Sequence, residues 1–218
     1  MNLLDKLYAR FGFNALVSGQ HQKAETYFRK IRTRTGEAMG SNHNLGMACL
    51  AAGNLAGAKD CFLREIELFG PSYSRARVLA DVYFALADQP KSLETYMLAK
   101  RLAQGEKDLP QVEERLKLCR SPGRFKAASG ASSLCREGLA AEQAGDVQEA
   151  LSRYVRAADL DPANVQALNN AGACLERLGK LRTAQKYFKQ AFALSGLKAI
   201  EKNIKKIEKA ISKQKDNA

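Results

Sequence analysis

The 218-residue sequence has no tryptophan, only five prolines and no long hydrophobic run. So few prolines exclude collagen and proline-rich disorder, and no segment approaches the roughly 18 apolar residues needed to cross a bilayer. Charges at Asp5, Lys6 and Arg10 occupy the stretch that a signal peptide would keep apolar. With 45% hydrophobic residues the chain can bury a core. We therefore expect a folded, cytoplasmic protein without a membrane span.

Groups that could support metal, redox or nucleophilic chemistry are scarce. The five cysteines include no C-x-x-C pair, and the two histidines, His21 and His43, are far apart in the sequence. No phosphate-binding loop, dinucleotide fingerprint or nucleophile elbow is present. We therefore predict no enzymatic activity, no cofactor and no metal. The cysteines are interpreted as reduced thiols, of which Cys135 alone lies at a position that the repeat described below leaves exposed.

The dominant pattern is a period of 34 residues. A glycine or alanine, a second small residue and an aromatic residue recur at fixed places in each period. Small residues let two helices approach closely, and the aromatic ring fills the space between them. The period therefore predicts repeated pairs of antiparallel helices. The recurring residues are Gly12, Gly46, Ala80, Gly138 and Gly172; Ala24, Ala58, Ser92, Ala150 and Ala184; and Phe28, Phe62, Tyr96, Tyr154 and Phe188.

These residues resemble the motif of the tetratricopeptide-repeat family, which has a small residue at position 8, alanine at position 20 and an aromatic residue at position 24. The resemblance implies an all-α, right-handed solenoid. We expect about five repeats, an inter-block helix and a C-terminal capping helix. The repeats are placed at Asp5–Ala38, Met39–Ser72, Tyr73–Glu106, Ala131–Asn164 and Val165–Lys198.

The period is interrupted once, because the aromatic position steps by 58 residues between the third and fourth repeats. We expect residues 1–120 to contain three repeats followed by a capping helix at Leu109–Leu118. Residues 121–130, rich in small residues and helix breakers, are predicted to be a linker, and residues 131–218 to hold two repeats and a basic capping helix. Whether the two blocks stack continuously or hinge stays open. The apolar stripe of the last helix consists of Ile200, Ile204, Ile207 and Ile211.

The resemblance also implies a concave groove lined by the first helix of each pair. Asn44 and Asn170 share position 6, where an asparagine amide can hold the backbone of a bound peptide. An equally simple interpretation is an unremarkable exposed asparagine. Of the five positions of the chaperone-tail clamp known in this family, only Asn44 fits, so binding of that tail is not expected. The groove residues are Phe13, His43, Asn44, Met47, Arg77, Asp81, Arg136, Asn169, Asn170 and Glu176.

The preferred function is a monomeric, chaperone-like adaptor or scaffold that binds a peptide or helical segment of another protein, acidic segments included. The formal net charge is +12, and residues 1–36 carry seven Lys and Arg against two acids. An alternative is therefore an electrostatic binder of nucleic acid or anionic membrane through basic termini. No aromatic stacking platform accompanies the C-terminal lysines, so specific nucleic-acid binding is not expected. A subunit that positions a substrate for an enzyme is a third possibility.

Overall fold

A computed structural model describes residues 3–216, with side chains described to residue 213. Within that range the chain forms thirteen α-helices and no strand, as the helix-pair period predicts. None of these helices is both long and apolar enough to cross a bilayer.

The chain contacts divide the molecule into two compact units, Met1–Leu102 and Ala103–Ala218. Each unit has its own buried apolar cluster. The helices of the first unit are α1 (Leu3–Val17), α2 (His21–Thr35), α3 (Ser41–Ala51), α4 (Leu55–Phe69), α5 (Tyr73–Ala85) and α6 (Gln89–Leu102). Those of the second are α7 (Leu109–Cys119), α8 (Pro122–Ser129), α9 (Ala131–Gln143), α10 (Val147–Leu160), α11 (Val165–Arg177), α12 (Leu181–Ser195) and α13 (Lys198–Asp216).

Five helix pairs follow the predicted repeat, α1 with α2, α3 with α4, α5 with α6, α9 with α10 and α11 with α12. In four of them the recurring glycine faces the ring of its own pair's aromatic residue. A Cβ on Gly46 would lie 2.8 Å from Phe62, and one on Gly172 would lie 2.8 Å from Phe188. Real Cβ atoms do not approach a ring so closely, so the glycine is what allows the two helices to pack at this distance.

The turn inside a pair needs one residue in the left-handed region. Gly53 supplies it between α3 and α4 with φ of 79°. Between α5 and α6 the same place is taken by Ala87, with φ of 57°. Alanine pays a steric cost of about 1–2 kcal/mol in this conformation. The turn of the third pair therefore has the same geometry as the others, although it has alanine in place of glycine.

The C-terminal capping helix is confirmed. Ile200, Ile204 and Ile207 of α13 are buried in the apolar cluster of the second unit, and Ile211 packs at its edge. The helix thus covers the apolar face that the last helix pair would otherwise expose.

The expected linker at residues 121–130 is wrong, because this segment forms α8. Pro122 stands in the first turn of that helix, where its missing N–H costs nothing, so the Ser-Pro-Gly sequence begins a helix. Phe125 and Ala128 are buried. Breakers at a helix start and breakers in a loop look alike in a sequence.

The expected role of α7 as a cap on the third repeat is also wrong. This helix belongs to the second unit, where it packs against α12 and α8. Arg115 of α7 makes a buried ion pair of 2.7 Å with Asp161. The amide of Gln111 donates a 3.0 Å hydrogen bond to the carbonyl of Ala163. These polar contacts attach α7 to the end of α10, and they join residues far apart in the sequence.

Cys135, expected to be exposed, is buried like the other four cysteines. The side-chain amide of Asn164 lies 3.6 Å from its Sγ atom. Burial raises the pKa of the Cys135 thiol to about 11. The thiol is therefore protonated at neutral pH and a poor nucleophile.

Candidate peptide-binding surface

The predicted groove residues lie on the first helices of the pairs and form two sets, one in each unit. We call the set on α1, α3 and α5 the first inner face; it consists of Phe13, His43, Asn44, Met47, Arg77 and Asp81. The set on α9 and α11 is the second inner face; it consists of Arg136, Asn169, Asn170 and Glu176.

The first inner face rests on the buried aromatic residues of its helix pairs. The ring of Phe13 makes an edge contact with Phe28 at 5.1 Å between centroids. His43 packs edge-on against Phe62 at 5.6 Å. Because these aromatic residues are buried in the core, the side chains that touch them are held by a rigid support.

Asp81 ties the third pair of this face together. Its carboxylate accepts a 2.5 Å hydrogen bond from the Tyr96 hydroxyl and a 2.9 Å ion-paired bond from Arg77. The Arg77 guanidinium is half-buried beside it. Asp81 therefore has a structural task, and Arg77 presents its charge from a fixed position rather than as a mobile surface side chain.

Asn44 and Met47 are the open positions that α3 contributes to the first inner face. Among the described residues, none forms a hydrogen bond with the Asn44 side chain, which is half-buried. Met47 is exposed one turn further along α3. An amide without a partner among the described residues, next to an exposed flexible apolar side chain, is suited to contact both the backbone and a side chain of a bound segment.

His43 is neutral at physiological pH. Burial lowers its pKa; the Glu65 carboxylate opposes that effect, whereas the Arg75 and Arg77 charges reinforce it. The imidazole thus offers one donor and one acceptor rather than a positive charge.

The second inner face is more fully paired. The Asn169 amide donates to Asn170 at 3.3 Å and accepts from Asn203 of α13 at 3.3 Å. Asn170 also hydrogen-bonds Tyr154. Glu176 makes a 2.6 Å ion pair with Lys206 of α13. Three of the four predicted residues are therefore engaged within the unit, and α13 supplies two of their partners.

Arg136 is the remaining residue of the second inner face and is exposed. The same unit contains a polar cluster of Glu142, Tyr154 and Arg177 that the sequence did not predict. Glu142 accepts a 3.2 Å hydrogen bond from the Tyr154 hydroxyl and a 3.1 Å ion-paired bond from Arg177. Burial, followed by the Glu142 charge, raises the pKa of Tyr154 to about 12. Tyr154 was recognised only as the recurring aromatic, but its hydroxyl also signals a polar partner.

A further cleft in the second unit was not foreseen. It has a volume of 610 Å³ and is lined mainly by α10, α11 and α12, with Glu114 of α7 at its side. Tyr187, Leu194 and Leu168 contribute its apolar surface. Burial raises the pKa of Tyr187, and the charge of Asp159 adds to this effect. The motif positions do not mark this cleft, because its walls are formed by other residues of the repeats and by Glu114 of α7.

The lysines of the alternative function lie on α13. Lys202 and Lys209 are exposed, while Lys205 pairs with Glu201 at 2.6 Å and Lys206 pairs with Glu176. Half of the proposed cationic set is thus already balanced by carboxylates. Among the described residues no three His, Cys, Asp or Glu side chains are grouped so that they could hold a metal ion.

Comparison with known proteins agrees with the helix-pair architecture. Residues 135–197 match the family described as tetratricopeptide repeat. This segment spans most of the fourth and fifth helix pairs. The pairs α1–α2 and α3–α4 have the same contact between a glycine and an aromatic ring. No curated protein sequence matches the chain.

Similar solved structures cover most of the chain. The crystal structure of MamA protein is 17% identical, with 88% of this chain and 92% of that chain covered and a TM-score of 0.44. The MamA RS-1 ArsTM double mutant is 15% identical, with 89% and 96% covered and a TM-score of 0.49. YrrB, described as a TPR protein with an unusual peptide-binding site, is 16% identical, with 91% and 90% covered and a TM-score of 0.45. The match identifies the fourth and fifth helix pairs as tetratricopeptide repeats, and the glycine–aromatic packing of the first two pairs follows the same pattern.

Proposed function

We propose that this protein is a protein–protein interaction scaffold that holds an extended segment of a partner protein on the first inner face. The observation that carries the proposal is the Asn44 amide, which is half-buried yet without a hydrogen-bonding partner among the described residues. Binding here would break no hydrogen bond among the described residues, and a peptide backbone offers both a donor and an acceptor to the amide.

The residues around Asn44 suit a peptide rather than a small metabolite. Met47 and Phe13 expose apolar surface on the neighbouring turns and helix. The methionine can adapt to different side chains. Arg77 is already ion-paired with Asp81, so the contacts open to a ligand on this face are those of Asn44, Met47 and Phe13. The face therefore favours an extended segment with at least one apolar residue.

The second inner face supports this function less well. Its asparagines and Glu176 pair with each other and with α13, so a ligand would have to replace existing contacts. Replacing a protein hydrogen bond with a ligand hydrogen bond yields little net free energy. We therefore assign the peptide to the first unit.

The test is site-specific photocrosslinking followed by measured affinity. A photoreactive amino acid at Met47 should capture a partner segment from the cell, and the same group at Met97 of α6, also exposed, should not. With the captured segment as a synthetic peptide, the double variant Asn44→Ala, Met47→Ala should weaken binding about tenfold or more, the loss expected for one hydrogen bond and one apolar contact.

The matched control is Gln22→Ala with Met97→Ala, which removes an exposed amide and an exposed methionine from the second helices of the same unit. It should bind as the wild type does. The proposal fails if the inner-face variant binds normally, or if both double variants lose affinity equally.

A further inference from the structure

One helix of the first unit exposes an unusual amount of apolar surface. Leu3, Leu4, Leu7 and Phe11 of α1 are between 38% and 76% exposed. Their spacing of three and four residues puts them on one side of the helix. We call these four residues the leading stripe. Isolated exposed leucines are common, but a continuous stripe of this kind marks a contact surface.

Equivalent positions in later pairs of the first unit are covered. Phe11 corresponds by the 34-residue period to Leu45 and Leu79. Phe11 is 45% exposed, whereas Leu45 is 1% and Leu79 is 4% exposed. The difference arises because α2 packs against α3 and α4 against α5, while among the described residues no helix precedes α1.

The charges around the leading stripe are almost all positive. Residues 1–36 contain seven Lys and Arg and two acids. Both acids are already paired, Asp5 with Arg34 at 2.9 Å and Glu25 with Arg29 at 2.6 Å. The uncompensated charge next to the stripe is therefore basic.

Aromatic residues connect the stripe to the basic side chains of α2. Tyr27 contacts Phe11 at 5.6 Å and Tyr8 at 6.1 Å between ring centroids. The Nζ atom of Lys30 lies 5.6 Å above the ring of Tyr8. Beside them a shallow cleft of 360 Å³ is lined by Lys30, Arg29, Arg34 and two threonines. The apolar stripe is thus bordered by tyrosines and then by Lys30, since Arg29 and Arg34 are already paired with Glu25 and Asp5.

Charge decides against a second copy of this chain as the occupant. A symmetric contact through the leading stripe would bring two sets of uncompensated cations together. A head-to-tail contact with α13 would meet Lys202 and Lys209, which are also exposed. Like charges brought into an interface oppose association.

A packed protein helix fits poorly as well. Asn14 of α1 stands at the repeat position of Ala48 and Val82, both fully buried by the preceding pair. A helix seated like a preceding pair would bury the Asn14 amide. It would also meet Leu7 and Tyr8 where α3 presents the smaller Ser41 and Asn42. The face of α1 therefore differs from that of α3 at three of the positions that a preceding pair covers.

We propose that the leading stripe is a docking surface for an anionic lipid bilayer. Leucine and phenylalanine enter the boundary between headgroups and acyl chains, tyrosines lie at that boundary, and Lys and Arg contact lipid phosphates. A fluid surface needs no close-packed complement, so Asn14 can stay hydrated. The surface is separate from the first inner face, so the proposal does not depend on peptide binding.

The absence of tryptophan permits a direct test. A Phe11→Trp variant carries the only indole in the molecule, and Met97→Trp serves as the control at another exposed site. With vesicles of phosphatidylcholine containing about one-third phosphatidylserine, the Phe11→Trp emission should shift to the blue and be quenched by brominated acyl chains. The Met97→Trp emission should not change. Pure phosphatidylcholine vesicles should have little effect.

Vesicle flotation separates the two components of the surface. Leu7→Ser with Phe11→Ser, and separately Lys6→Gln with Lys30→Gln, should each reduce binding to the anionic vesicles about tenfold. Lys6 is exposed on α1 between Leu3 and Leu7. Lys202→Gln with Lys209→Gln on α13, and Leu68→Ser with Met97→Ser elsewhere on the first unit, should leave it unchanged. Circular dichroism confirms that each variant is folded.

Three results would overturn the proposal. The first is binding that the serine pair does not reduce, since contact would then be purely electrostatic. The second is an equal loss in the α13 lysine variant, which would show attraction without a defined surface. The third is no vesicle binding by the wild type, including the case in which the leading stripe instead captures a protein. Peptide capture at Met47 should persist in the serine pair, so failure here is distinguishable from failure of the proposed function.

Discussion

The two units use the same helix-pair motif but differ in how much of it is left open. In the first unit the side chain at motif position 6, Asn44, has no hydrogen-bonding partner among the described residues. In the second unit the same position, Asn170, is paired, and α13 supplies Asn203 and Lys206 to its neighbours. The motif therefore determines where an inner face lies, while additional helices determine whether that face is free to bind.

The outer limits of the two units show the same contrast. The second unit ends on α13, whose Ile207 is fully buried. The first unit begins with α1, whose Phe11 is largely exposed. A repeat needs a neighbour or a cap on each apolar face, and only one of these two faces has one within the described residues.

The largest expected effect tests whether the difference extends to the cores. Phe62→Ala and Phe188→Ala remove fully buried rings from matching positions in the two units. Each should cost about 3–5 kcal/mol of unfolding free energy. Chemical denaturation followed by circular dichroism measures the loss. Similar losses of unfolding free energy would show that the units differ in their surfaces and not in their cores. A much smaller loss in one unit would show that its core is less tightly packed.

A second pair of variants compares the capped and uncapped faces. Ile207→Ala leaves a cavity under α13 and should cost about 2–5 kcal/mol. Phe11→Ala removes a side chain that is already partly in water and should cost less than about 1 kcal/mol. The same denaturation experiment measures both. Equal losses would mean that Phe11 is covered in solution, which contradicts an open leading stripe.

A third comparison concerns the inner faces. Asn169→Ala removes hydrogen bonds to Asn170 and Asn203 and should cost about 1 kcal/mol. Asn44→Ala removes no internal hydrogen bond and should change the stability by less than about 0.5 kcal/mol. Thermal unfolding of both variants beside the wild type is sufficient. A marked destabilisation by Asn44→Ala would show that its amide is already used within the protein.

The smallest effect is a dependence on pH within the first inner face. Burial lowers the pKa of His43 in the folded protein, so the unfolded chain takes up a proton first as the pH falls. This contribution to stability is fully present above the unfolded pKa of about 6.5 and is lost as the pH falls through the folded pKa. The melting temperature of the wild type should therefore fall more between about pH 7 and pH 5 than that of His43→Gln. Parallel curves for the two proteins would contradict a buried neutral imidazole.

Much of the architecture was predictable because it depends on residues close together in the sequence. A glycine and the aromatic residue sixteen positions later, such as Gly46 and Phe62, define a pair of adjacent helices by themselves. The isoleucines of α13 recur every three or four residues, which likewise predicts a helix with one buried side. The Ser121-Pro122-Gly123 sequence misled because it is compatible with both a loop and a helix start, and only the burial of Phe125 distinguishes them.

For the candidate site, the sequence predicted which helices carry the residues but not which of their side chains are hydrogen-bonded within the protein. The period places Asn44 and Asn170 on the first helices of their pairs, and α3 and α11 contain them; that these helices line a groove stays a prediction. Their different surroundings depend on contacts such as that between Asn169 and Asn203, which a single sequence does not reveal. Cys135 shows the same limit, since its Sγ atom contacts Asn164, which precedes α11.

The amino-acid sequence by itself determined the helix pairs, because close packing between neighbouring helices requires small residues and rings at a regular spacing. It also determined the basic, apolar character of α1 and the apolar stripe of α13. Only the tertiary structure decided that α7 joins the second unit, that Asn170 is paired while Asn44 is open, and that Phe11 is uncovered while Leu45 is buried. These outcomes depend on which segments distant in the sequence come into contact. The burial and hydrogen bonding of a residue are set by those contacts and not by its identity alone.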